Sequence, residues 1–290
     1  MNSTRVQSTE YKVQSTLHFS LFTFHFSLKT MLIDTHAHLY SEQFDRDREA
    51  MMERSFGAGV EQVYLPNVDS KSIDSMLALE SAYPGRCIAM MGLHPCSVGV
   101  DYEAELKVVE DWLSRRSFCA VGEIGIDLYW DKTFFEEQKI AFARQMDWAK
   151  DLKIPIVIHS RESTEEILTL LREKKDYQEG GIFHCFGGSV EQAKEIIGLG
   201  FYLGIGGVLT FKKSGLDEVL KHVSLDHLVL ETDAPYLAPT PFRGKRNESA
   251  YIALVAKRLA EVKDVGLDEV ERITSLNAEK AFRVDSQFKI

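Results

Sequence analysis

Met31-Leu32-Ile33-Asp34-Thr35-His36-Ala37-His38 is a short apolar run that stops on two histidines. Such a run, bounded by polar residues, is the pattern of a strand buried on both faces. Seven more runs of this kind follow, at 61–65, 87–92, 118–123, 155–159, 181–184, 201–205 and 227–232. Between them lie stretches rich in Glu, Lys, Leu and Ala with helical spacing, at 45–58, 73–82, 103–114, 134–151, 163–174, 190–199 and 215–222. Two further helical stretches, 248–262 and 267–282, come after the last strand. Eight strands alternating with helices over about 250 residues predict an α/β protein, a single-domain (β/α)8 TIM-type barrel. The competing architecture is a doubly wound sheet, which often carries a glycine-rich phosphate loop after its first strand. Here that position holds histidines instead. Gly204, Gly206 and Gly207 fall at the seventh strand, do not form such a loop, and read as close backbone packing.

The 290 residues are 44% hydrophobic and 27% charged, which excludes disordered and fibrous classes. A net charge of -10 excludes attachment to nucleic acid or membrane by bulk positive charge. It leaves a nuclease possible, because metal ions offset phosphate charge locally. The four cysteines, Cys87, Cys96, Cys119 and Cys185, form no CxxC pair, as expected of reduced thiols in a cytoplasmic protein. No apolar run is long enough for a transmembrane helix, so no membrane partner is expected. Residues 1–30 differ from the rest. Val6-Gln7-Ser8-Thr9 recurs at 13–16, and Leu17-His18-Phe19-Ser20-Leu21 nearly recurs at 24–28. The segment lacks the uninterrupted apolar core and small-residue cleavage site of a signal peptide. It is expected to be a disordered extension or translated upstream sequence, with Met31 the working start and 31–290 the barrel. Without it, 31 basic and 43 acidic residues leave a charge of -12.

Chemistry collects where the apolar runs stop. His36 and His38 close the first, and residues two apart on a strand point to the same side. Glu123 closes the fourth, His159 the fifth, His184 the sixth, and Asp233 follows the eighth. In a barrel these ends converge on one face, where active sites lie. A carboxylate at an apolar strand end is costly unless it is paired or bound to metal. Four histidines and two carboxylates suffice for two divalent cations sharing a bridging carboxylate.

These segments also carry a resemblance. Residues 32–39 (Leu-Ile-Asp-Thr-His-Ala-His-Leu), 155–163 (Pro-Ile-Val-Ile-His-Ser-Arg-Glu-Ser) and 231–239 (Glu-Thr-Asp-Ala-Pro-Tyr-Leu-Ala-Pro) are similar to the three signatures of the TatD family of metal-dependent deoxyribonucleases. Residues 241–248, Gly92-Leu93-His94-Pro95, Gly122-Glu123-Ile124-Gly125-Ile126-Asp127 and His184-Cys185-Phe186 match in order and spacing. The resemblance runs from Met31 to about Phe282. It implies an amidohydrolase-type barrel, divalent metals and phosphodiester hydrolysis. It further implies that His36, His38 and Asp233 hold one metal, that His159 and His184 hold the second, and that Glu123 bridges them. Tyr40, where the family often has an acid, and Ser249, where it usually has proline, depart from the pattern. Both lie outside the implied ligand set and bear on loop detail only. Histidine-rich donors suit Zn or Mn, whereas the family implies Mg. Barrels of this type that attack neutral esters often use a modified lysine on strand four, and this chain has none there. The implied reaction is hydrolysis by a metal-acidified water, with Asp233 orienting that water and accepting its proton.

Several other residues are candidates for holding substrate. His94 could hydrogen-bond a phosphate or merely cap the loop before Pro95. Arg161 could grip a phosphate bidentately, or pair with Glu162 or Glu165. Arg243, Lys245 and Arg246 form the densest basic run and read as a grip on backbone phosphate. Tyr129 and Trp130 could stack a base or pack the loop after strand four. DNA is therefore the expected partner, bound locally rather than by bulk charge. The leading expectation is a 3'-5' exodeoxyribonuclease that prefers single strands. A barrel hydrolase of an amide, lactone or other ester, and a non-catalytic metal-binding partner protein, are the alternatives.

Overall fold

The computed structural model describes residues 31–283. The expectations for residues 1–30, and the last seven residues of the expected barrel segment, lie outside the described residues. Eight parallel strands alternate with helices: β1 (Leu32–Asp34), β2 (Val60–Leu65), β3 (Cys87–Ala89), β4 (Val121–Asp127), β5 (Ile156–Arg161), β6 (Gly181–Phe183), β7 (Phe201–Ile205) and β8 (Leu228–Leu230). The helices are α1 (Arg48–Gly57), α2 (Ile73–Ala82), α3 (Tyr102–Arg115), α4 (Phe135–Leu152), α5 (Thr164–Glu173), α6 (Val190–Gly198), α7 (Leu216–Leu220), α8 (Ile252–Lys263) and α9 (Leu267–Ala281).

Each strand pairs with its neighbours in chain order within two arcs, β1 to β3 and β4 to β8. Backbone hydrogen bonds continue across both seams. Gly122 N–H donates to the Met91 carbonyl (3.1 Å) between the arcs. On the other side Thr35 N–H donates to Leu230 (3.0 Å), and Asp233 N–H donates to His36 (2.8 Å). The ring is thus the expected (β/α)8 TIM-type barrel.

Strand alternation sorts the core into two shells. Residues such as Leu32, Val63, Ile158 and Leu203 face outward and pack against the helices. Ile33, Tyr64, Met90, Val157, Ile182 and Val229 fill the barrel interior. The end of α9 closes the barrel's base with Ala278, Ala281 and Phe282. The Phe282 ring stacks on Tyr64 at 3.7 Å between centroids and 8° between planes.

The boundaries differ from expectation most at β4, which runs four residues further and places Glu123 inside the strand, not at its end. The reason is a register shift against β5. Gly122 pairs with Val157 and Ile124 with Ile158, so Glu123 is an extra residue. Such bulges re-aim a side chain. Helices α1 and α8 start later than expected, because a 3-10 turn precedes each one (Glu42–Phe44 and Ser249–Tyr251). None of the four cysteines is disulfide-bonded. No helix among the described residues is long and apolar enough to cross a membrane.

Phe282→Ala should open a cavity under the barrel and cost about 3–5 kcal/mol. In thermal unfolding this corresponds to a Tm lower by roughly 6–20 °C for a domain of this size. An unchanged Tm would show that α9 does not seal the base.

Candidate metal centre

At the barrel's other end the strands deliver their polar residues to one point, around Glu123. This carboxylate is 1% exposed, and its two oxygens face different groups. Oε2 lies 3.2 Å from His36 Nε2 and 3.7 Å from His38 Nε2. Oε1 lies 2.9 Å from His159 Nδ1, 3.6 Å from His94 Nε2 and 3.8 Å from His184 Nε2. Burial alone would raise the Glu123 pKa, but the His36, His94 and His184 rings facing it and the His159 hydrogen bond hold it well below the usual carboxylate range.

Asp233 completes the first group, its Oδ1 lying 3.6 Å from His38 Nε2 and 3.9 Å from His36 Nε2. It follows β8 at φ 55°, a left-handed conformation that aspartate accepts more readily than most residues. Burial pushes its carboxyl up to about 7, with the Glu123 charge adding to the shift and His184 opposing it. Ligand atoms of His36, His38 and Asp233 lie close enough together to hold one cation. So do those of His36, Glu123 and His184, and those of His94, Glu123 and His159. The structure therefore brings together all six residues of the implied ligand set.

Hydrogen bonds to the far sides of the rings decide which nitrogens have lone pairs to offer. Tyr40 donates its hydroxyl proton to the Pro66 carbonyl (2.6 Å), so it can only accept from His38 Nδ1 (3.0 Å). His38 Nε2 is then left unprotonated, facing Glu123 and Asp233. Glu231, fully buried, lies 3.0 Å from His184 Nδ1 and turns that ring's Nε2 toward Glu123 and Asp233. This is the carboxylate–histidine pairing that orients metal ligands in other proteins. His94 is the opposite case. Its Nδ1 accepts from the Cys96 N–H (3.0 Å), so the neutral ring carries its proton on Nε2. His94 is both the loop cap and a hydrogen-bond donor aimed into the site, and its Nε2 is not a lone-pair donor.

The fit to a cation rests on unpaired atoms. Both ring nitrogens of His36 are buried without a hydrogen-bond partner, and burial lowers its pKa far below the usual histidine value. A neutral, buried imidazole with an idle lone pair beside two carboxylates costs free energy unless something accepts that lone pair. A divalent cation does so, and the donor set of imidazoles and carboxylates suits one.

Three supporting residues were not anticipated from sequence. Asp127, at the end of β4, bonds His159 Nε2 through Oδ2 (2.8 Å). Its Oδ1 accepts the N–H groups of Tyr129 (2.9 Å) and Trp130 (3.0 Å). Glu231 is the second, and it explains Gly204 of β7: a Cβ there would lie 2.2 Å from Glu231 Oε2. Asp34, the third, is buried across the β8–β1 seam. It accepts from Thr232 Oγ1 (2.6 Å) and Ser249 Oγ (2.5 Å). The two departures from the family pattern are thus not loop detail. Tyr40 fixes the tautomer of His38, and Ser249 ties the segment before α8 to the strand that carries His36.

The basic candidates divide. Arg243 stacks on Phe211 (3.7 Å) and, with Lys245 and Arg161, lines the cleft above the histidines. None of the three forms an ion pair among the described residues, and the alternative partner Glu165 is taken by Arg172. Arg246 is a correction. Its guanidinium is bound by Asp47 at the start of α1 (2.6 and 2.8 Å) and by the Gln43 carbonyl (2.8 Å). It braces the loop against α1 and is not available as a phosphate grip.

Two expected outcomes follow from this arrangement. Gly204→Ala should displace Glu231, cost about 1–3 kcal/mol, and weaken metal binding about 10–100-fold through a misdirected His184; equilibrium dialysis and thermal melts check both. Cation loading should also release protons. Burial opposes protonation of His184, but Glu231, Glu123 and Asp233 raise its pKa to about 10. Below that value the proton must leave before the nitrogen can bind a cation. Affinity should rise about tenfold per pH unit between pH 7 and 9 for each proton released. Calorimetry in two buffers of different ionisation enthalpy counts those protons, and a pH-independent affinity would rule out His184 as a ligand.

Comparison with known proteins agrees with this geometry. Residues 33–283 match the model of the TatD related DNase family. The chain is 40% identical over 256 residues to the uncharacterized metal-dependent hydrolase YabD of Bacillus subtilis, covering 88% of this chain and all of that one. It is 32% identical over 259 residues to the 3'-5' ssDNA/RNA exonuclease TatD of Salmonella typhimurium, covering 87% and 99%. The crystal structure of YjjV, a TatD homolog from Escherichia coli, superposes with a TM-score of 0.81 at 31% identity, covering 87% of this chain and 98% of that one. With its histidines and acids gathered at the mouth of a closed barrel, this chain belongs to the TatD family of metal-dependent hydrolases.

Proposed function

We propose that the protein is a 3'-5' exonuclease that hydrolyses phosphodiester bonds in single-stranded DNA, using two divalent cations. The observation that carries this reading is Glu123, whose two oxygens face two separate groups of imidazoles from inside the barrel mouth. In this reading His36, His38 and Asp233 hold one cation, His159 and His184 hold the other, and Glu123 lies between. The cations supply an acidified water and neutralise charge on the phosphoryl oxygens.

The chain's own residues do the rest. Asp233, at the mouth of the barrel with Oδ1 3.6 Å from His38 Nε2, is placed to orient the attacking water and take its proton. His94 presents Nε2–H toward the same point and would donate it to a phosphoryl oxygen. Arg161, Arg243 and Lys245 have no acidic partner among the described residues and border the cleft, placed to hold the strand's backbone phosphates. The names of the TatD relatives support single strands and 3'-5' polarity.

The test is a panel of end-labelled single-stranded DNA, duplex DNA, RNA and p-nitrophenyl esters, each with Mg, Mn or Zn and with chelator. Metal-dependent shortening of single-stranded DNA from its 3' end is expected. Turnover of the esters alone would assign the barrel to neutral ester hydrolysis. Glu123→Gln keeps the side chain's shape but removes its charge. It should lower metal content from about two ions toward one or none and reduce nuclease activity by about 10³-fold or more. Full metal content with parental activity would overturn the bridging role.

A further inference from the structure

Large exposed aromatic side chains are costly to leave in water, so their position beside a cleft calls for an explanation. Trp130 is 69% exposed and Tyr129 49% exposed, next to each other after β4. They are held by several contacts. The rings meet edge to face at 4.9 Å and 85°. The Arg161 guanidinium covers the Tyr129 ring at 3.9 Å and reaches 5.3 Å from the centre of Trp130. Both backbone N–H groups hang from Asp127 Oδ1, whose other oxygen binds His159 at 2.8 Å. Trp130 and Arg161 line the same cleft as His159, Glu123 and Asp233. Two hydrogen bonds through one carboxylate thus join the Trp130 backbone to the cluster.

Loop packing does not account for this arrangement, because packing would bury the larger ring, and Trp130 is the more exposed of the two. Tyr129, clamped between Arg161 and the edge of Trp130, acts as a brace. Resting on the nuclease reading above, we propose that Trp130, positioned by Tyr129, Arg161 and Asp127, is a platform on which one unpaired base stacks while its neighbouring phosphodiester lies at the cluster. A π-face accepts any base, so the platform favours single strands and frayed ends without selecting sequence. A base still paired in a duplex has no free face to offer. Arg161 would serve twice, bracing the ring and facing the backbone with its charge.

The experiment measures binding of the full-length, metal-loaded protein to a fluorescent phosphorothioate (dT)8, and to eight versions each lacking the base at one position. Base–aromatic stacking predicts that one position matters most, its loss weakening binding about tenfold. Trp130→Ala should shrink that ratio to near one, and Trp130→Phe should restore part of it. Quenching of Trp130 fluorescence by intact (dT)8, absent when the sensitive base is removed, gives a second readout. If Trp130→Ala keeps the full tenfold ratio, or no position is sensitive although unmodified (dT)8 is cleaved, the platform is wrong and the nuclease reading stands. If the parent neither binds nor cleaves unmodified (dT)8, both are overturned.

Discussion

A carboxylate taken out of water must be paired or it destabilises the fold, and Glu123 is almost completely out of water. Much of the barrel mouth is arranged to meet that requirement. The bulge in β4 turns the side chain inward. His36, His38, His94, His159 and His184 surround it from four strands of the ring. Each imidazole then needs its own far side satisfied, which calls in Tyr40, Cys96, Asp127 and Glu231. Glu231, itself buried, needs space, and Gly204 provides it. The polar network therefore grows outward from one buried charge, and among its members both ring nitrogens of His36, with His184 Nδ1 and Glu231 Oε2, are left without a hydrogen bond. That gap is what makes the cluster a receptor for a cation and not a self-contained ion-pair network.

The cluster could be read from sequence because most of its members sit near the ends of apolar runs, and a barrel brings those ends together; Glu123 joins them from inside β4 through the bulge. His36 and His38 do meet at one point, although β1 ends at Asp34 and both lie beyond the strand, outside the reach of the alternation argument. What escaped the reading depends on distance in space. Asp127 lies four residues beyond Glu123, and drawing β4 only to 123 hid it; a strand extended to 127 sets its carboxylate beside His159 on β5. Glu231 sits inside the run Leu-Val-Leu-Glu-Thr-Asp, and Gly204 of β7, which clears room for it, was the available signal. Arg246 resembles Arg243 and Lys245 in sequence. Only the fold brings Asp47, almost two hundred residues earlier, against its guanidinium. Tyr40 and Ser249 were set aside as loop detail because their partners, Pro66 and Asp34, lie on other elements.

The base and the mouth of the barrel divide two tasks. At the base, the residue after α9, Phe282, stacks on the Tyr64 ring in a buried contact that serves stability. At the mouth, stability is given up to unpaired or strained groups: an imidazole with idle nitrogens, a carboxyl held near neutrality, and an aspartate at positive φ. Such groups persist only where the surrounding structure over-determines them. The rigid base and the hydrogen-bonded seams supply that over-determination.

The seam between β8 and β1 has a consequence for biogenesis. His36 and His38 emerge near the start of the described chain and Asp233 near its end, and they meet only when Thr232 and Ser249 close on Asp34. Contacts of such long sequence separation form late, because the loop between them must be closed first. A chain still on the ribosome, with β1 exposed and β8 not yet made, cannot assemble the His36–His38–Asp233 triad. The site is therefore complete only once the segment after β8, the last strand to be synthesised, has been made. A cation held by His36, His38 and Asp233 would clasp the two ends of the barrel together and so resist the reopening of its ring.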